Sequence, residues 1–111
     1  MHLREQMKAD LLQAMKARQH ATVATLRSVL AVIDNAEAVP VDEPTVPVEP
    51  VVGKRNEVPR KVLSVDDIRQ IVQKEMDERH AASVQYARLG LQAEAERLQT
   101  AAALIATYLH P

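Results

Sequence analysis

The sequence predicts an all-α protein: four helices in two helical hairpins, joined by a long Pro/Val-rich linker. Three observations predict it. Residues 1–38 carry apolar side chains at helical spacing, residues 39–63 hold five of the six prolines, and residues 64–111 contain two apolar stripes that complement each other about Gly90. The 111 residues make a single domain, large enough to bury roughly 60–65% of the surface its unfolded chain exposes. Hydrophobic residues make up 47% and aromatics only 2%, with no Phe and no Trp. The core must therefore be built from Leu, Val, Ile, Met and Ala, side chains that let helices pack closely.

The first helical half is 1–38. Leu3, Met7, Leu11 and Met15 step by four; Val23, Leu26, Leu30 and Ile33 continue at three and four. "ARQHAT" interrupts this stripe, and Thr22 is placed to cap a second helix. No Gly or Pro enforces a break there, so one continuous helix is the alternative. Helix is excluded across the linker, 39–63, where Pro40, Pro44, Pro47, Pro50 and Pro59 remove backbone donors and restrict the residues before them. An extended, polyproline-like spacer is expected. Its end is basic: Lys54, Arg55, Arg60 and Lys61 stand against Glu57. They form a candidate phosphate-contacting patch, the alternative being a solvated linker.

The second hairpin, 64–111, opens on Ser64 as N-cap, with Asp67 three residues on where a capping-box acid belongs. Asp66 adds charge favourable to the helix dipole. The third helix should end at Gly90 in a left-handed C′ position, with Leu91 next to Tyr86 in a Schellman arrangement. The fourth helix should run to Leu109. Its stripe is Leu91, Ala95, Leu98, Ala102, Ile105 and Leu109; the facing stripe is Val65, Ile68, Val72, Glu75, Arg79, Ala82, Tyr86 and Leu89. Folded about Gly90, large residues face small ones, as an interdigitating antiparallel pair requires.

Two charges interrupt that seam. Glu75 and Arg79 lie at i and i+4, acid first, the favourable order. A half-buried ion pair needs further hydrogen-bond partners to offset its desolvation. One reading is a polar layer that sets register, completed by Arg27 from the edge of the second helix's stripe. Another is a recognition site at a groove or open end, with Tyr86 beside it. In the third, Arg79 snorkels to water.

Several chemistries are excluded or unsupported. A formal net charge of −1 argues against nucleic-acid affinity of the chain as a whole. With no cysteine there are no disulfides, thiolate catalysis or Cys-based zinc sites. The charged start "MHLREQMKAD" is not a signal peptide and no stretch approaches a membrane span, so the chain reads as cytoplasmic with no membrane partner. Gly53 and Gly90 are the only glycines, too few for a phosphate-cradling loop. Asp77 and His80 give a lone acidic-x-x-His spacing without the second motif a di-metal bundle needs. No catalytic, cofactor or metal site is expected.

The same residues carry a family resemblance. "LREQMKADLLQAMKARQ", then "TLRSVL" and "NAE", resembles the start of YqeY-like proteins of the GatB/YqeY group. The second half agrees: Lys74, Glu75 and Arg79, then Tyr86, Gly90, Ala95–Glu96 and "YL" before a proline. The resemblance covers both helical halves and not the linker. It departs from the family pattern at His80, Ala81–Ala82 and His110. Relatives continue into a second helical domain like the tail of the GatB subunit, so "TYLHP" is expected to mark a domain edge. The resemblance implies a link to glutamine-dependent tRNA amidation, a carbon–nitrogen ligase activity with glutamine as amido donor, and to tRNA or a tRNA-amidating complex as partner. The expectation is a non-catalytic accessory or adaptor module; the alternative is a protein-interaction or self-associating module with no RNA role.

Overall fold

A computed structural model describes residues 2–38 and 62–110. The fold is all-α. Its helices are α1 (Leu3–Lys16), α2 (His20–Glu37), α3 (Val65–Arg88) and α4 (Gln92–Leu109), together about 86% of the described residues. The expected extended linker lies outside the described residues except for Val62 and Leu63. Among the described residues no helix is long and apolar enough to cross a membrane.

The first half is two helices, so the continuous-helix alternative fails. The break falls at Ala17–Gln19, and Gln19 stands at the N-cap rather than Thr22. Arg18 takes a left-handed conformation at φ 57°. That lets Gln19 N–H donate to the Ala14 carbonyl at 2.9 Å and Arg18 N–H to Met15 at 3.2 Å, the pair of bonds that closes a Schellman turn. The second turn is the one expected: Gly90 has φ 78°, and Leu91 N–H and Gly90 N–H donate to Tyr86 and Ala87 at 2.9 and 3.1 Å. At the start of α3 the capping box forms in both directions, Asp67 N–H to Ser64 Oγ and Ser64 N–H to Asp67 Oδ2, each 3.0 Å.

All four helices meet in one core: Leu3 and Met7 from α1, Leu26, Val29, Leu30 and Ile33 from α2, Val72 from α3, and Ile105, Tyr108 and Leu109 from α4. Each fully buried aliphatic chain here contributes on the order of 1.5–3 kcal/mol. The core sits toward one end of the molecule. The tip of the α3–α4 hairpin projects from it, and the principal extents are 53 × 32 × 28 Å.

Two stripes drift off their expected lines. Met15 is exposed and Ala14 is buried in its place, because each step of four in a 3.6-residue helix turns the stripe by about 40°. On α3 the buried line runs Val72, Glu75, Ser83, while Val65, Tyr86 and Leu89 are exposed, Leu89 at 71%. A straight helix falls behind a seven-residue repeat by about 20° per heptad. Val72 and Ser83, eleven residues apart, lie within about 20° of one line, whereas Tyr86, two heptads beyond Val72, has fallen about 40° behind it. Ser83 and Ala95 are both completely buried, so the seam continues toward the tip on small side chains. The Ser83 hydroxyl is satisfied within its own helix, donating to the His80 carbonyl at 2.6 Å.

Candidate functional site

The polar layer forms, and it reaches across to the first hairpin. Arg79 Nη1 donates to Glu75 Oε1 at 2.9 Å and to the Glu75 carbonyl at 3.0 Å. Its Nη2 donates to Ser28 Oγ on α2 at 2.9 Å. Both charged side chains are largely out of water, at 16% and 11% exposed. At such depth the ion pair gains from every added hydrogen bond, because desolvation would otherwise cancel its Coulomb attraction. These bonds leave at least two of the five guanidinium donors for something else.

Arg27 is not the third member. It is exposed, and its Nη2 points back to Met15 Sδ at 3.9 Å. One residue is about 100° of helix rotation, and that rotation puts Ser28 toward α3 and turns Arg27 away from it. Tyr86 does not join the layer either. It lies seven residues beyond Arg79 near the hairpin tip, 37% exposed, and its carbonyl serves the Schellman turn. Lys54, Arg55, Arg60 and Lys61 lie outside the described residues.

Beside the layer, α2 and α4 stand apart and leave an open groove of about 700 Å³. From α2 it is lined by Ala21, Ala24, Thr25 and Ser28, and from α4 by Leu98, Ala101, Leu104 and Thr107. Among the described residues, Arg79 and Arg97 are its only charged lining residues. The sequence hinted at a groove beside Glu75 and Arg79. It carried no sign that Ser28 would hold the arginine, because the two lie 51 residues apart.

Other long-range polar contacts fasten the helices and were not legible beforehand. Tyr108 OH donates to Asp10 Oδ2 at 2.5 Å, tying α4 to α1. Burial, and then the adjacent Asp10 carboxylate, hold the phenol well above the ordinary tyrosine range, so it stays protonated and keeps donating. Arg4 Nη1 meets Glu37 Oε2 at 2.9 Å, closing the open end of the first hairpin. Arg69 Nη2 donates to the Leu109 carbonyl at 2.6 Å, placing a cation at the negative end of α4.

Each serine is committed to a structural bond: Ser28 to Arg79, Ser64 to Asp67, Ser83 to His80. Among the described residues no cluster of three or more His, Asp or Glu side chains has the arrangement of a metal site. Asp77 and His80 line a shallower cavity of about 400 Å³ with Gln99 and apolar neighbours. No family model matches the chain, and comparison with curated proteins and with solved structures finds no match either.

Proposed function

We propose that this chain is a non-catalytic helical adaptor that docks a partner protein in the α2–α4 groove. The process it serves is glutamine-dependent tRNA amidation or tRNA handling, which is what the resemblance to the GatB/YqeY group implies. The observation that carries docking is the groove itself: open, mostly apolar, and held in shape by a bonded polar layer. An apolar groove between helices is the kind of surface into which a partner helix can lay its own apolar face. The amidation link rests on the residues quoted for the resemblance, among them Glu75, Arg79, Tyr86 and Gly90. The carbon–nitrogen ligase activity then belongs to a complex, with this chain as accessory. A module with no RNA role is the second reading, favoured by a groove that, among the described residues, holds two cations and otherwise uncharged walls.

The test uses the tagged full chain and its Ala24→Arg variant, in which an exposed groove residue is replaced by one that fills the space. Amidotransferase subunits should be retained by the first and lost by the second, and purified chain should not turn over glutamine with or without ATP. A mobility shift with total tRNA across a salt series separates the readings. A steep fall in affinity with salt for the chain alone would make it a direct RNA binder, contrary to docking by protein. Retention unaffected by Ala24→Arg would remove the groove from the function.

A further inference from the structure

The groove's walls specify what can enter it. Ala21 and Ala24 on one side and Ala101 and Ala103 on the other allow another backbone to approach closely, since interhelical distance is set by side-chain size at the contact. Between Arg97 and Thr107 the α4 wall rises about 15 Å at 1.5 Å per residue, the length of roughly three helical turns. Both walls are helices with their own backbone bonds made, so an extended segment finds no edge to pair with. A helix packs there by its side chains.

Charge narrows the occupant further. Arg79, mostly buried and paired with Glu75 at 2.9 Å, lines the groove; Arg97 lies at its rim, 69% exposed and loosely held by Glu94 at 3.3 Å. Guanidinium groups beside apolar surface favour a carboxylate, which they meet with paired hydrogen bonds. A second copy docking by this same face fits poorly, because among the described residues neither lining face carries an acid: α2 offers Ala, Thr and Ser, and α4 offers Arg97, Leu, Ala and Thr. Nucleic acid fits poorly too, because tracking phosphates needs a longer series of cations.

We infer that the groove receives an acidic amphipathic helix of a partner protein. That helix is about three turns long, with small or aliphatic residues at i, i+3, i+4 and i+7 against the walls and an Asp or Glu meeting Arg79 and Arg97. The inference rests on the docking reading above and names the chemistry of the docked element.

Two capped peptides of about fourteen residues test it against the intact chain. Both carry Leu and Ala on one face; one has Glu and Gln at the remaining positions, the other Lys and Gln. Binding is followed by methyl NMR of the alanines. The acidic peptide should saturate and shift Ala21, Ala24, Ala101 and Ala103. It should bind about tenfold tighter than the basic peptide at low salt, with the gap narrowing as salt rises. Arg97→Glu, an exposed change that leaves the core untouched, should reverse the preference.

Equal binding of the two peptides overturns the inference. So do shifts mapping elsewhere, or no saturation by either peptide up to about 1 mM. A dimer of the free chain that Ala24→Arg disperses would instead assign the groove to a second copy. Peptide binding with no amidotransferase retention removes the amidation role and leaves this inference standing. Retention that depends on the groove, without a preference for acid, does the reverse.

Discussion

The turn between α1 and α2 and the turn between α3 and α4 make the same pair of backbone bonds from dissimilar sequences. One places Gly90 at φ 78°, the other Arg18 at φ 57°. Glycine adopts the left-handed conformation freely, whereas a side-chain-bearing residue gives up on the order of 1–2 kcal/mol there. The second hairpin therefore carries its own local instructions, with a capping box at one end and a glycine at the other. The first has neither: α1 and α2 lack any side-chain cap hydrogen bond. Its geometry is set by contacts between residues distant in sequence: Arg4–Glu37 across its own open end, Asp10–Tyr108 to α4, and Met7, Leu26, Val29 and Ile33 in the shared core. A turn can thus be written locally or forced by packing. Only the first kind is visible to a reader of the sequence.

If the first hairpin is held by the second, damage to their common core should unfold both together. Ile105→Ala removes a completely buried side chain and should cost about 2–5 kcal/mol, with helix loss and core-methyl loss coinciding in one thermal transition. Separate transitions for the two hairpins would break the comparison. Exposed Leu12→Ala should stay within about 0.5 kcal/mol.

The Arg79 layer is the polar part of that junction. Arg79→Ala should destabilise by roughly 1–3 kcal/mol, because it leaves Glu75 buried without its partner. Glu96→Ala should cost under about 0.5 kcal/mol. Replacing Glu75 with Leu and Arg79 with Met together should recover much of the loss. Chemical denaturation of the three variants decides it. An Arg79→Ala protein as stable as the parent would mean the layer contributes nothing to the junction.

Alkaline titration examines the strap between α1 and α4. The Tyr108 phenol is raised in the folded protein above its ordinary value of 10.0. The unfolded chain therefore loses this proton first, and the stabilisation, fully present below pH 10, declines as pH rises toward the folded value. The decline contributed by one such group is about 1.4 kcal/mol per pH unit. Tyr108→Phe should remove that part of the slope, as seen in melts between pH 9 and 11 on the order of one unit either side of 10. An unchanged slope would dissociate the phenol from the strap.

The smallest effects come from the turns themselves. Gly90→Ala should cost about 1 kcal/mol; an added Cβ meets nothing within 4 Å, so the penalty is conformational alone. Arg18→Gly should gain up to about 1 kcal/mol, less the backbone entropy that glycine adds to the unfolded chain. If Arg18→Gly destabilises, the arginine makes contacts at the turn that outweigh its strain, and the contrast between the turns needs revising.

The sequence by itself determined the helical class, the second hairpin, its capping box, its glycine turn and the placement of Glu75 and Arg79 on the apolar seam. Those features are encoded within about four residues, or within a stripe of fixed period, where covalent geometry sets the spacing. Only the tertiary structure decided that α1 and α2 break at Arg18, that Ser28 rather than Arg27 completes the polar layer, that Ser83 replaces Tyr86 in the seam, and that α2 and α4 part to leave a groove. Each of these depends on how a helix is rotated and tilted against a neighbour distant in sequence. A rotation of about 100° exchanges one residue for the next, and no periodic pattern in a single helix fixes it.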